Sequence, residues 1–150
     1  MITWSCKIFH DLTPQELYAI MRLRNEVFVV EQNCVYQDAD NRDPQCWHFM
    51  GWEEDRLVAY TRLLPPGLVY PQISIGRVVT SPSARKKGLG RELMERSIAQ
   101  CRELFGDGVI RIGAQSYLIN FYTSLGFTIS SEPYLEDGIE HVEMKKPATV

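Results

Sequence analysis

Between Gly76 and Arg91 the sequence carries five basic residues (Arg77, Arg85, Lys86, Lys87, Arg91) and no acid, and it ends in Arg85-Lys-Lys-Gly88-Leu-Gly90-Arg91. A strand pattern precedes this run and a helix pattern follows it. Glycines at a strand-to-helix turn let the backbone approach a ligand without a Cβ in the way. The first N–H groups of the helix lack internal partners and sit at the positive end of its dipole, so they present an anion site. Arg85, Lys86 and Lys87 add full charges, and a pyrophosphate suits this chemistry. Two glycines alone describe a glycine-rich helix start equally well. A second block has the opposite sign: Glu31, Asp38, Asp40 and Asp43 stand against Arg42 alone. Opposed blocks in one small chain suit a site that takes one anionic and one cationic ligand.

Other phosphate and metal chemistries are excluded by spacing. A dinucleotide fingerprint needs a third glycine where Leu93 stands, and no Gly-Lys-Ser/Thr completes a Walker loop. Cys6, Cys34, Cys46 and Cys101 lie far apart without Cys-x-x-Cys, which reads as free buried thiols and not a zinc site. Cys46-Trp-His48 sets two ligand types, or a thiol and a base, close together, but nothing completes a tetrahedron around them. Asp38-x-Asp40 begins like a calcium loop, yet the sixth position would be Asp43 instead of glycine and the twelfth Phe49 instead of glutamate. No metal is expected.

The elements that must position these groups are legible in outline. Trp4–Phe9 alternates as a strand. Thr13-Pro14-Gln15-Glu16 combines a capping box with proline at the first helical position. Leu17, Ile20, Met21, Val27 and Phe28 continue that helix with one apolar stripe. Residues 33–45 are polar and turn-prone, and read as a loop. His48–Glu53, Arg56–Leu63 and Gln72–Val79 are predicted strands, and Gly88 to Phe105 is a helix. Val109–Ala114 is a strand and Ser116–Leu125 a helix with Gly126 as its C-cap. Two last strands fall near Thr128–Pro133 and Glu140–Lys145. The order predicts an α/β fold (α+β in its mixed sheet), mostly antiparallel and flanked by helices.

Val78-Val79-x-x-Pro82 followed by Arg85-x-x-Gly88-x-Gly90 resembles the coenzyme A-binding motif of the GNAT N-acetyltransferases. Phe121-Tyr122-Thr-Ser-Leu-Gly126-Phe127 is similar to that family's second signature. Arg24-Asn-Glu-Val-Phe-Val-Val-Glu31-Gln32 with the acidic loop after it resembles the ElaA-like subgroup. The resemblance covers nearly the whole chain and implies a single domain over residues 1–150 that uses acetyl-CoA as co-substrate. It implies that Val78, Val79 and Thr80 pair with the pantetheine arm. The Val79 backbone N–H would polarise the thioester carbonyl. Arg85, Lys86, Lys87, Gly88, Leu89, Gly90 and Arg91 would hold the pyrophosphate, with Gln115 and Asn120 as further polar contacts. Tyr122 would protonate the departing thiolate. For an amine of pKa ~10, deprotonation at neutral pH costs about 4 kcal/mol, so a base helps. Glu31 and His48 are the candidates, with Asp40 and Asp43 attracting a cationic acceptor.

Composition agrees with this class. The 150 residues are 45% hydrophobic and 23% charged, with a net charge of −3, which suits a globular domain and disfavours a dedicated nucleic-acid binder. No apolar run approaches a bilayer span and Met1–Asp11 carries no signal-peptide pattern, so the expectation is a cytoplasmic enzyme without a membrane partner. A homodimer is the commonest assembly for such a chain. The acceptor would be a small-molecule or peptide primary amine. Two alternatives share these features: an acyl-homoserine-lactone-synthase-like acyltransferase, which draws on a carrier-protein donor, and a non-catalytic coenzyme A-binding module.

Overall fold

The β-periodic segments all enter one sheet in the computed structural model, which describes residues 1–85 and 88–150. Its strands are β1 (Thr3–Ile8), β2 (Trp47–Glu53), β3 (Arg56–Leu64), β4 (Ile73–Thr80), β5 (Ile110–Gln115), β6 (Thr128–Ile129), β7 (Tyr134–Glu136) and β8 (Ile139–Lys146). The spatial order is β1-β2-β3-β4-β5-β8-β6, with β7 also pairing β8. Among the described residues every ladder is antiparallel except β4 with β5. The mixed, mostly antiparallel sheet is the expected architecture.

Helices cover both faces. α2 (Leu89–Phe105) and α3 (Ile119–Thr123) lie over one face, where Leu93, Met94, Ile112, Phe127 and Met144 close the larger core. α1 (Pro14–Arg24) covers the other face through Ile20 and Leu23, packed on Met50, Tyr60 and Val79. Its start follows the sequence signal. The Thr13 hydroxyl accepts from the Glu16 N–H at 3.1 Å, and the Glu16 carboxylate accepts from the Thr13 N–H at 2.8 Å.

The expected continuation to Phe28 is not α-helical. From Asn25 to Glu31 the chain widens into a π-helical stretch, with Gln32 N–H on the Val27 carbonyl and Cys34 N–H on that of Val29, each at 3.0 Å. Such insertions gather at functional sites. Here the widened turn buries Val27 and brings Glu31 and Gln32 to the rim of the main cavity. The last region also differs: β7 and β8 form a tight hairpin around Asp137 and Gly138, both with positive φ (51° and 78°). That is the two-residue turn Asp-Gly favours.

Candidate active site

The sheet splits at its one parallel junction. β4 and β5 pair only at Ile73 with Ile110 and Ser74 with Arg111, after which β4 runs on to Thr80 and β5 to Gln115 without a shared ladder. A cavity of about 700 Å³ opens there, walled by Val78, Val79, Thr80, Arg85, Gly90 and Tyr122 among others. Unpaired strand edges present N–H and C=O groups that an extended ligand can bond like an added strand.

Register decides which groups are free. Ser81 N–H donates to the Val58 carbonyl at 2.8 Å, and Ala59 faces Thr80 while Tyr60 faces Val79. Antiparallel ladders alternate, so the backbone groups of Val79 turn toward Tyr60 and those of Val78 and Thr80 turn toward the split. The Val79 N–H, expected as a donor to the ligand, is thus turned to β3, and the N–H that faces the split is that of Val78. The two valine side chains divide between the cores, Val78 toward α2 and Val79 toward α1. A bulge lies just upstream, between Tyr60 and Arg62 of β3, and Arg77 within it has φ +50°. Bulges of this kind re-aim strand groups beside active sites.

The glycine turn has the geometry of an anion cradle. Gly88 is the N-cap of α2 with φ +82°, a conformation that favours glycine. The first intrahelical bond runs from Glu92 N–H to the Gly88 carbonyl at 2.8 Å, which leaves the N–H groups of Leu89, Gly90 and Arg91 without helical partners. A Cβ at Gly88 or Gly90 would meet no atom within 4 Å. Space for a ligand is therefore open. The Leu89 side chain is buried, so only its backbone can serve. The Arg91 guanidinium instead joins α2 to Ser124, at 2.9 Å from its hydroxyl. Arg85 reaches Glu31 with two bonds of 2.8 and 2.6 Å. Lys86 and Lys87 lie outside the described residues.

Tyr122 stands on α3, 6% exposed, with its ring edge-on to Phe121 and Phe127. No described residue bonds its hydroxyl. Burial, reinforced by Tyr117, pushes its pKa up to about 12, so the phenol holds its proton at neutral pH. Gln115 joins the cavity wall and exchanges amide contacts with Gln32 at 3.3 and 3.4 Å. Asn120 is exposed and lies outside that wall.

The acidic block has a different role from the one its charge suggested. Arg24 is completely buried, with Nε 2.8 Å from Asp38 and Nη1 2.8 Å from Asp43. Arg62 holds Asp40 at 2.8 Å and Asp43 at 3.0 Å, and Arg77 holds Asp38 at 2.8 Å. Three carboxylates thus meet three guanidiniums, so the charges of Asp38, Asp40 and Asp43 are paired within the cluster, although Asp40 also lines the cavity. Burial alone would raise the Asp43 pKa, but Arg24 and Arg62 hold it below the usual carboxylate range. The cluster pins residues 38–43 to α1, β3 and the β4 bulge.

His48 is also corrected. It is fully buried, outside the cavity wall, with Nε2 on the Asp43 carbonyl at 3.0 Å and Nδ1 accepting from the Tyr60 hydroxyl at 2.6 Å. Burial depresses its pKa, so it stays neutral with both nitrogens engaged. Glu31 does reach the cavity, but its hydrogen bonds from Arg85 lower its pKa and weaken it as a base. Sequence reasoning missed His141 and Glu136, which line the cavity from the β7–β8 hairpin. The Asp137-Gly138 pair was the available signal for that hairpin.

Residues 9–148 match the acetyltransferase (GNAT) domain family. The chain belongs to the acetyltransferase (GNAT) family. ElaA of Escherichia coli is 41% identical over 97% of both chains, and its crystal structure superposes with a TM-score of 0.91. An acyl-CoA N-acyltransferase of Pseudomonas aeruginosa is 44% identical, with a TM-score of 0.93 over 97% of this chain and 99% of that one. An acetyltransferase of Bacillus subtilis, solved in complex with CoA, shares the fold at 20% identity and a TM-score of 0.69, covering 98% and 99% of the two chains. No helix among the described residues is long and apolar enough to cross a membrane.

Proposed function

We propose that this GNAT enzyme transfers the acetyl group of acetyl-CoA directly to a primary amine. The observation that carries the reading is the split between β4 and β5, which ends at the N-terminus of α2, where the N-cap Gly88 offers no side chain to the free N–H groups. A strand edge and a dipole end suit the two halves of coenzyme A, its amide-bearing arm and its pyrophosphate. The CoA complex of the Bacillus subtilis acetyltransferase supports the same choice of ligand.

In this reading the free N–H of Val78 donates to the thioester carbonyl and strengthens as charge develops on that oxygen. Thr80 offers its backbone groups to the pantetheine amides. Leu89, Gly90 and Arg91 donate backbone N–H groups to the pyrophosphate, and Arg85 leaves Glu31 to add charge. Tyr122, protonated at neutral pH, supplies a proton to the sulfur. The amine acceptor enters from the α1 side, between residues 31–36 and the β7–β8 hairpin.

Calorimetric titration with acetyl-CoA, followed by thiol release in the presence of a primary-amine panel, tests the proposal. Binding with amine-dependent thiol release is expected. Absent binding would refute the cofactor assignment, and activity confined to an acyl-carrier-protein donor would favour the synthase-like alternative.

A further inference from the structure

We propose that His141 takes the proton from the acceptor amine, an inference that rests on the N-acetyltransferase reading above. His141 lies on β8 opposite Gln115, the last residue of β5. Val142 and Met144, which alternate with His141 and Glu143 along β8, enter the core under α2. Side chains alternate across a strand, so His141 faces the other side, where the acceptor approaches. It shares the cavity wall with Tyr122 and Val78.

The ring is fixed in one tautomer. Nδ1 lies 2.7 Å from the Ile139 carbonyl, an oxygen that can only accept, so Nδ1 carries the hydrogen of the neutral imidazole. Nε2 is left with its lone pair, and no described residue donates to it. Tyr134 stacks on the ring at 5.8 Å and 23°, which holds its plane. Glu136 stands 3.8 Å from Nε2, beyond hydrogen-bond distance. The titratable groups around the ring are Tyr134 and Glu136 on β7, Asp137 in the turn and Glu143 on β8. Tyr134 is committed to Glu143 at 2.6 Å, and Cys34 on the facing loop donates to the Asp137 carbonyl at 3.3 Å.

Two other carboxylates of the cavity wall are engaged elsewhere, Glu31 with Arg85 and Asp40 with Arg62. Nε2 of His141 accepts one proton of the ammonium, directly or through one water. The freed nitrogen pair forms a bond to the acetyl carbon, the carbon–sulfur bond breaks, and its electron pair leaves on sulfur. Tyr122 gives its proton to the sulfur and regains one from the second N–H proton of the nitrogen. His141 returns its proton to solvent, leaving amide and thiol.

The test compares wild type with His141→Gln, using an alkylamine that is protonated at neutral pH and an aromatic amine that is not. The variant should bind acetyl-CoA normally and lose about 10²-fold in kcat/KM for the alkylamine at neutral pH. That gap should close at alkaline pH, and the aromatic amine should react alike with both proteins. Equal losses for both amines at every pH, or full activity of His141→Gln, would overturn the assignment while leaving the transferase reading intact. Acetyl-CoA binding without transfer to any amine by the wild type would overturn both.

Discussion

Gly90→Val isolates the anion cradle from the fold. Gly90 is the second residue of α2, it walls the cavity, and a Cβ built there meets nothing within 4 Å. Its φ is not in the left-handed region, unlike that of Gly88 at +82°. A side chain at Gly88 would add backbone strain of roughly 1–2 kcal/mol, which mixes folding with binding. At Gly90, valine should be neutral or stabilising by a few tenths of a kcal/mol, since glycine is the weaker helix former. The branched side chain occupies the space a phosphate needs to reach the free N–H groups. Each hydrogen bond lost to a charged group costs about 1.5–3 kcal/mol. One lost bond therefore weakens acetyl-CoA binding by roughly ten- to a hundredfold. Calorimetry gives the affinity, and a thermal melt on the same sample gives stability. Weakened binding with an unchanged melting temperature is the expected pair. Unchanged affinity would place the phosphates elsewhere and refute the reasoning from the α2 N-terminus.

Tyr122→Phe should lower kcat by roughly 10²-fold with little change in melting temperature, because no described residue bonds the hydroxyl; a normal single-turnover rate would remove it from the mechanism. Glu31→Gln should tighten acetyl-CoA binding severalfold, since Glu31 competes for Arg85; unchanged affinity would show that Arg85 does not serve the phosphates. Asp43→Asn should cost about 3–5 kcal/mol by leaving Arg24 and Arg62 short of a buried partner. Because the folded-state pKa of Asp43 is depressed, its stabilisation is present above the ordinary carboxylate range and fades as pH falls through the lowered value. Acid melts of the Asn variant should therefore lose part of the wild-type pH dependence, and a parallel pH profile would contradict this role.

The half of the candidate site built on β4 and the start of α2 was legible because its signals are local. The capping box at Thr13, the strand before Arg85 and the glycine spacing at 88 and 90 each act within a few residues, and each fell where its pattern indicated. The acceptor half depends on pairings between distant segments. Charge counting gave Asp40 and Asp43 a ligand because Arg24, Arg62 and Arg77 are remote in sequence, and only the folded chain brings them together. The choice between Val78 and Val79 turns on ladder phase, which one bulge at Arg77 resets. His48 and His141 differ in the same way: one is sealed between Tyr60 and Asp43, and the other faces a cavity walled in part by a hairpin whose first strand, β7, is only three residues long.

Acetyl transfer itself is measured most directly by mass spectrometry of a reaction holding acetyl-CoA, the protein and a primary-amine panel, with free thiol counted in parallel. Formation of one N-acetylated amine for each thiol released, abolished in Gly90→Val at low acetyl-CoA, is the expected result. Thiol release without any acetylated amine, or no consumption of acetyl-CoA at all, would contradict the assignment of the β4–β5 split as an N-acetyltransferase site.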